Sequence, residues 1–426
     1  MTETATVAAV LGRMSPNLEL NQNVAERRAD GDDIVHLGFG EARLPVFGPF
    51  AQALAAGARH NAYGPVNGAP RVREAVAGYF TRRGLPTEAP QVITAPGSKP
   101  ILTALQLVLP GDTVIPAPAW NSYRPQAELA GKRVLPVPIP EACGGVPDPE
   151  RLREIVREAR RRGADPRTVI VTLPDNPTGT VASPETVREL CAVAEQEDLV
   201  IVSDEIYRDL VHDPATPVLS PAEVAPHRTI VTTGLSKTLA LGGWRIGAAR
   251  FPAGDWGERA HRGVASVASE VWSTLAAPMQ EVAAYAFDEP PEIRQRLAAS
   301  ARLHGAVARA VHGIMTDSGA LCRPPTGGFY VYPDFEPVRG ALAGRGVADS
   351  ASLFQYLLDE HRIAVLAGHH LGDDPGALRF KAATSLLYGD TRELQQQALE
   401  ATDPVRLPHV AAVLDRIRDC FAKLGA

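Results

Sequence analysis

The chain has 426 residues, 45% of them hydrophobic, and a formal charge of −6 with no long block of one sign. Such a length supports a buried core in more than one domain, and the mild acidity argues against a nucleic-acid binder or a basic membrane-surface protein. No apolar run is long enough to span a membrane, Met1–Thr6 lacks signal-peptide order, and Cys143, Cys191, Cys322 and Cys420 form no CxxC pair, so a cytoplasmic globular chain without disulfides or zinc is expected.

In chain order, residues 17–29 read as a helix lying across something else, and 33–37 as a short strand entering a glycine-bearing turn. From Val92 the pattern becomes regular. Strands are expected at 91–95, 113–116, 133–138, 168–174, 199–204, 229–233 and 245–251. Helices are expected at 100–109, 123–131 and 148–162, and after Ser183, with Pro149 and Pro184 at first helical positions. Strands 168–174 and 199–204 are β-branched without alternation, as when both faces are buried. Alternating strand and helix predicts a doubly wound, mostly parallel α/β sheet. Beyond Trp256 long Arg- and Ala-rich helices run to about Thr316. A smaller mixed α+β segment follows, with strands at 328–332, 364–366 and 377–382, a helix at 350–361 and a last helix from Asp403. We divide the chain into a large domain, 49–290, and a small one built from 1–48 and 291–426.

Two suggestive motifs fail on chemistry. Gly38-Phe39-Gly40 follows a strand as a dinucleotide fingerprint would, but its third glycine is missing and Leu44-Pro45 ends any helix. His369-His370 with Asp373-Asp374 looks metal-like, yet neighbouring histidines in an extended chain point opposite ways, so no metal is expected. No P-loop and no Gly-x-Ser-x-Gly elbow occurs.

The lysines are scarce: Lys99, Lys132, Lys237, Lys381 and Lys423 are the only five among 43 basic residues. Lys237 follows an apolar strand in Gly234-Leu235-Ser236-Lys237, where a lysine is costly unless paired or covalently employed. Asp204 ends the strand before Glu205-Ile206-Tyr207, at the edge where open α/β sheets place ligand groups. Asn176-Pro177-Thr178-Gly179 ends another strand with a hydrogen-bonding amide. Gly97-Ser98-Lys99 opens an apolar helix, whose free N–H groups suit a phosphate, and Arg245 adds a cation eight residues after Lys237.

In this order and spacing the motifs resemble the fold-type I pyridoxal-phosphate enzymes, class I/II aminotransferases, and in particular the bacterial aspartate aminotransferase subgroup. The resemblance runs from about Gly40 over nearly the whole chain. It implies a homodimeric aminotransferase that moves an amino group between an amino acid and a 2-oxo acid through a Lys237 Schiff base with pyridoxal 5'-phosphate. It further implies that Asp204 pairs with the pyridine nitrogen, that Asn176 and Tyr207 hold the ring's 3′-oxygen, and that Trp120 stacks on the ring. Gly97, Ser98, Lys99, Ser236 and Arg245 would surround the phosphate, with Tyr63 reaching the partner subunit's phosphate. Arg379 would fork the substrate α-carboxylate, with Gly40, Trp120 and Asn176 beside it. Elimination, replacement, cyclisation or oxidation of an amino acid on the same cofactor is the alternative, because the same lysine chemistry feeds each outcome.

Four places depart from that family's pattern. Ala367-Gly368 stands for the usual Pro-Gly, Asp175 precedes Asn176, Trp272 and Glu270 occupy an expected interface segment, and Lys381 follows Arg379 by two residues. If they line the site, Lys381 and the two histidines favour a substrate with added negative charge or polar bulk. Lys132 and Lys423 are expected to be surface charges.

Overall fold

The computed structural model describes Gly12 and residues 14–424. The first helix is Pro16–Ala29, with proline in its first turn. Its start is pinned to a distant loop: Asn17 donates to the Asn121 side chain (2.9 Å), and Asn121 donates back to Ser15 Oγ (3.0 Å). A short strand, β1 (Val35–His36), leads from it toward Phe39 and Gly40.

The central sheet is built from β2 (Val92–Ala95), β3 (Asp112–Ala117), β4 (Val134–Pro138), β5 (Pro166–Thr172), β6 (Val200–Asp204), β7 (Thr229–Gly234) and β8 (Gly247–Arg250). Their order is β2-β8-β7-β6-β5-β3-β4, with β8 alone antiparallel to its neighbours. The expected strand 245–251 thus begins at Gly247 and runs against the rest, a reversal that side-chain pattern does not encode. Every residue of β7 is buried, because helices cover both faces. Ile230 packs into the layer holding Ile101, Leu105 and Val264, and Val231 into the opposite layer holding Val76, Phe80 and Val282. Successive strand side chains point to opposite faces, so one β-branched run feeds two cores.

The helices Gly48–Gly57 and Pro70–Thr81, which complete one of these layers, lie where the sequence reading assigned nothing. Both carry proline in the first turn, the one signal that could have revealed them.

A second core forms around Leu303, Val307, Val311, Phe335, Leu357, Phe380, Leu414 and Phe421, and takes in Val35 and Leu37 from the N-terminal arm. Its strands are β9 (Leu321–Cys322), β10 (Tyr330–Val331), β11 (Pro333–Asp334), β12 (Ile363–Ala364), β13 (Leu366–Ala367) and β14 (Phe380–Ala383). The order β10-β14-β13 forms the sheet that faces the functional cleft, while β1 pairs with β12 and β9 with β11. One helix, Pro291–Asp317, joins both cores: Ile293 and Leu297 pack under the large sheet, and residues from Leu303 onward belong to the second core.

Two lesser expectations are corrected. Lys132 is not a surface charge: it is buried and its Nζ donates to the Leu109 carbonyl at 2.6 Å, whereas Lys423 is exposed. His369 and His370 sit in a 3-10 turn, Gly368–Leu371, so their rings lie 4.0 Å apart and do not point opposite ways. His369 Nδ1 is 2.7 Å from Ser350 Oγ. Among the described residues no group of three or more His, Cys, Asp or Glu could hold a metal, and no helix is long and apolar enough to cross a membrane.

Candidate active site

The sheet topology brings the sequence motifs together. The parallel strands β5 and β6 end in register at Thr172 and Asp204, level with Thr232 of β7, which runs on to Gly234. Because β8 runs the other way, its first residue, Gly247, pairs with both Gly234 of β7 and Ala95 of β2. The loops bearing Ser98, Trp120, Asn176, Lys237 and Arg245 therefore open at one sheet edge, the edge where strand ends in open α/β folds meet ligands. They line a cavity of about 340 Å³, whose other wall comes from the second core through Gly40, Tyr330 and Lys381.

Asp204 is buried at the floor. Its Oδ2 accepts from the Tyr123 hydroxyl (2.8 Å) and its Oδ1 from Thr232 (3.1 Å). Burial pushes its carboxyl up to about 6, against these two hydrogen bonds, which favour the ionised form. Lys237 donates to the Gly40 carbonyl across the cavity. Burial holds its amine down at about 8, with Arg245 and Lys99 adding to the effect and Glu41 and Asp204 opposing it. A lysine so placed is a usable nucleophile near neutral pH.

A second cluster surrounds the N-terminus of the helix Ser98–Val108. Gly97, its N-cap, is left-handed at φ +91. A Cβ on Gly97 would overlap the Arg245 guanidinium, and one on Gly247 would strike the backbone of Gly97 and Ser98. Both glycines thus permit a close approach of cation, turn and strand. Arg245 is itself left-handed at φ +55, a strain of about 1–3 kcal/mol of the kind concentrated at functional sites. Its Nη1 donates to Ser236 Oγ (3.2 Å) and the Gly242 carbonyl (2.9 Å). Lys99 lies 5.2 Å from the Trp120 ring centre, and Trp120 meets Tyr123 edge-on at 5.1 Å.

On the remaining side the Tyr207 and Tyr330 hydroxyls are 2.6 Å apart, and Asn176 Nδ2 approaches Tyr207 at 3.5 Å. The carboxamide oxygen of Asn176 is buried without a partner. Asp175, next to it, turns away and accepts from Thr178 N (3.0 Å), with burial raising its carboxyl to about 7.

Tyr63 and Arg379 do not line this cavity, and Tyr63 is expected at a partner subunit's phosphate and not at this one. Tyr63 is 91% exposed and outside the cavity. Arg379 is also outside it: Asp334 holds Nε at 2.8 Å and Asp373 holds Nη1 at 3.2 Å. The fork expected to take a substrate carboxylate is thus already engaged by two carboxylates of this chain. His369 and His370 do not line the cavity, and Trp272 packs against the cluster around Ile93. Sequence reasoning assigned no role to Tyr123, Thr172, Tyr330, Ser15, Asn17 and Leu18, which do line it. Tyr123 was within reach, three residues past Trp120; the others carry no local signal.

The family model described as aminotransferase class I and II matches residues 32–387. The chain belongs to the class I and II aminotransferases. It is 33% identical to the aspartate/prephenate aminotransferase of Thermus thermophilus over 343 residues, covering 76% of this chain and 82% of that one. It is 32% identical to the aspartate aminotransferase of Geobacillus stearothermophilus over 388 residues, covering 87% and 92%. A solved structure of the Thermus thermophilus aspartate aminotransferase with maleate superposes with a TM-score of 0.77 at 29% identity, covering 92% of this chain and 97% of that one. Amino-group transfer, the first of the two outcomes the motifs allowed, is the one these relatives carry, and pyridoxal phosphate is the family's cofactor. The class I and II site described above fits that cofactor. It offers a buried carboxylate, an unpartnered carboxamide oxygen, an amine with depressed basicity, and a helix N-terminus flanked by two cations and kept open by Gly97 and Gly247.

Proposed function

We propose that this aminotransferase works through the residues gathered at the sheet edge, with Lys237 as the covalent anchor of pyridoxal phosphate and the carrier of the substrate proton. The single observation that carries this reading is the convergence of Lys237, Asp204 and the helix Ser98–Val108 on one cavity. When bound, the cofactor accepts the electron pair released at the substrate Cα. The chain does the rest. Ser98 N–H, Ser236, Lys99 and Arg245 hold the phosphate. The Asp204 carboxylate, oriented by Tyr123 and Thr232, would favour a protonated ring nitrogen. Asn176 and Tyr207 would hydrogen-bond the ring oxygen, and Trp120 would cover the ring face. Lys237 Nζ, with its basicity lowered by burial, would take the proton from the substrate Cα, general-base work for which an amine of that basicity is suited near neutral pH.

A cytoplasmic homodimer completes the proposal. Tyr63 supports the second copy: a large aromatic 91% exposed at a loop tip is suited to reach a neighbouring subunit's phosphate. The test is spectroscopic. The purified protein should be yellow, borohydride should fix the label on Lys237, and an amino acid added without a 2-oxo acid should convert one equivalent per site and stop. A protein that takes up no pyridoxal phosphate, or turns over many times without an acceptor, would sink this reading.

A further inference from the structure

We propose that Tyr330 is a positioning residue of this site: its hydroxyl donates to Tyr207 and so commits the single Tyr207 proton to the cofactor's ring oxygen. The proposal rests on the reading that places Tyr207 at that oxygen, and stands on three observations.

First, the two phenols form a closed pair. Their oxygens are 2.6 Å apart, and among the described residues Tyr207 is the one hydrogen-bond partner of the Tyr330 hydroxyl. A second donor to Tyr207, Asn176 Nδ2, stands off at 3.5 Å, beyond the usual range of a hydrogen bond. A hydroxyl carries one proton and two lone pairs, so either oxygen can donate while the pair is alone. An anionic ring oxygen is the stronger acceptor, because charge-assisted bonds are about twice as strong as neutral ones. Tyr207 then turns its proton to the ring, and Tyr330 supplies the one between the phenols.

Second, the Tyr330 hydroxyl has a place made for it. Tyr330 sits on β10, paired with Ala383 of β14, and is 1% exposed. A Cβ on Gly40 would overlap its hydroxyl oxygen, so the bare glycine leaves the room that this oxygen occupies. A phenylalanine would keep the tilted contact with Phe329 at 4.8 Å and the edge-on contact with Tyr207 at 5.6 Å. Packing therefore does not account for the hydroxyl, and a buried hydroxyl is costly unless bonded.

Third, the surroundings favour donation. Lys381 of β14 places its amine 5.3 Å from the Tyr330 ring centre, where a cation acts on the ring and makes the phenol a stronger donor. Burial and Lys237 lower that amine to about 7, so its ammonium form contributes below that value. The other ionisable groups around the pair are Lys237, Asp175, Asp204 and Tyr123. Burial raises both phenols above the ordinary tyrosine value, and each keeps its proton across the neutral range. Two protons thus serve three oxygens in a row, and hydrogen bonds in series polarise one another.

The test uses the holoenzyme, Tyr330→Phe, Tyr207→Phe and the double variant, each loaded with pyridoxal phosphate. The pH midpoint of the visible band is read in each, with circular dichroism checking the fold. A ring oxygen that receives weaker hydrogen bonds holds its charge less well, and keeps the proton it shares with the Lys237 nitrogen to higher pH. Tyr330→Phe should therefore raise the midpoint by about 0.3–1 pH unit, the scale of one hydrogen bond acting at one remove. Tyr207→Phe should raise it further. The double variant should match Tyr207→Phe alone, because without the Tyr207 hydroxyl Tyr330 has nothing to act through. An unmoved midpoint in Tyr330→Phe beside a raised one in Tyr207→Phe overturns the proposal and leaves the Tyr207 placement standing. A Tyr330→Phe shift that adds in full to that of Tyr207→Phe does the same. A midpoint unmoved in Tyr207→Phe overturns the placement and the proposal together.

Discussion

Two walls face each other across one cavity, and they differ in how they handle charge. On the sheet-edge wall Asp204, Arg245 and Lys237 each have a partner in the chain: Asp204 accepts from Tyr123 and Thr232, Arg245 donates to Ser236 and Gly242, and Lys237 donates to Gly40. On the wall from the second core, the arginine that matches the family motif is spent on two aspartates, and the lysine that reaches the cavity has no anion beside it among the described residues. The first wall ties its charged side chains into the chain and leaves the Asn176 carboxamide oxygen open, whereas the second leaves the buried Lys381 amine without an anion beside it among the described residues. A fixed cofactor can be met by a preorganised surface, whereas discrimination among substrates resides where the protein leaves a charge open.

The largest effect belongs to the first wall. Lys237→Ala should lower turnover by about 10⁴-fold or more, the scale of losing a nucleophile that is also the general base. The check is kcat at saturating cofactor, with mass spectrometry showing no borohydride-fixed adduct. Asp204→Asn should cost about 10²–10³-fold in kcat, the scale of one preorganised electrostatic contact. The fold should survive, because the carboxamide oxygen introduced by that substitution can still accept one of the two hydrogen bonds. If Asp204→Asn retains full activity, the contrast between the walls fails on its stronger side.

A pH series sharpens the comparison at intermediate size. Capture of pyridoxal phosphate needs the unprotonated Lys237 amine, and burial lowers that amine to about 8 in the cofactor-free chain. The amine is protonated below that value, so the capture rate of the apoprotein should fall about tenfold for each pH unit below 8 and level off above it. Stopped-flow absorbance measures this; a rate still climbing steeply at pH 10 would show that the lysine is not depressed. The smallest effect is expected at Tyr63, where Tyr63→Phe should weaken cofactor binding about three- to tenfold, the value of one hydrogen bond. Equilibrium dialysis against pyridoxal phosphate reads it, and sedimentation of the same variant should still show a dimer.

The sheet-edge wall was legible from sequence for a physical reason. Asn176, Asp204 and Lys237 each lie at or just past the end of a β-branched strand, and strands paired in register deliver their ends to one place. The second wall was legible only in part: Gly40 and Lys381 stand out in the sequence, but Tyr330 and the placement of Arg379 do not. Strand alternation puts Arg379 and Lys381 on the same side, and which of them enters the cavity is decided by Asp334, 45 residues upstream of Arg379, and by Asp373. Tyr330 likewise comes to Tyr207 across 123 residues. The helices Gly48–Gly57 and Pro70–Thr81 escaped because glycine and proline dominate their surroundings, although proline in a first turn is itself a start signal. Lys132 escaped because a lysine bonded to a carbonyl under a helix looks, in sequence, like any other lysine.

The helix Pro291–Asp317 has 27 residues, which makes a rod about 40 Å long. One end is embedded beneath the sheet and the other inside the second core, and the change-over is immediate: Leu297 belongs to the first core and Ala299 already packs against the second. A helix does not stretch, and bends sharply only at a proline, a bulge or an inserted group. The rod therefore holds the two cores at a fixed separation along its axis. Part of the cavity's width is thus set by a helix that lines none of it.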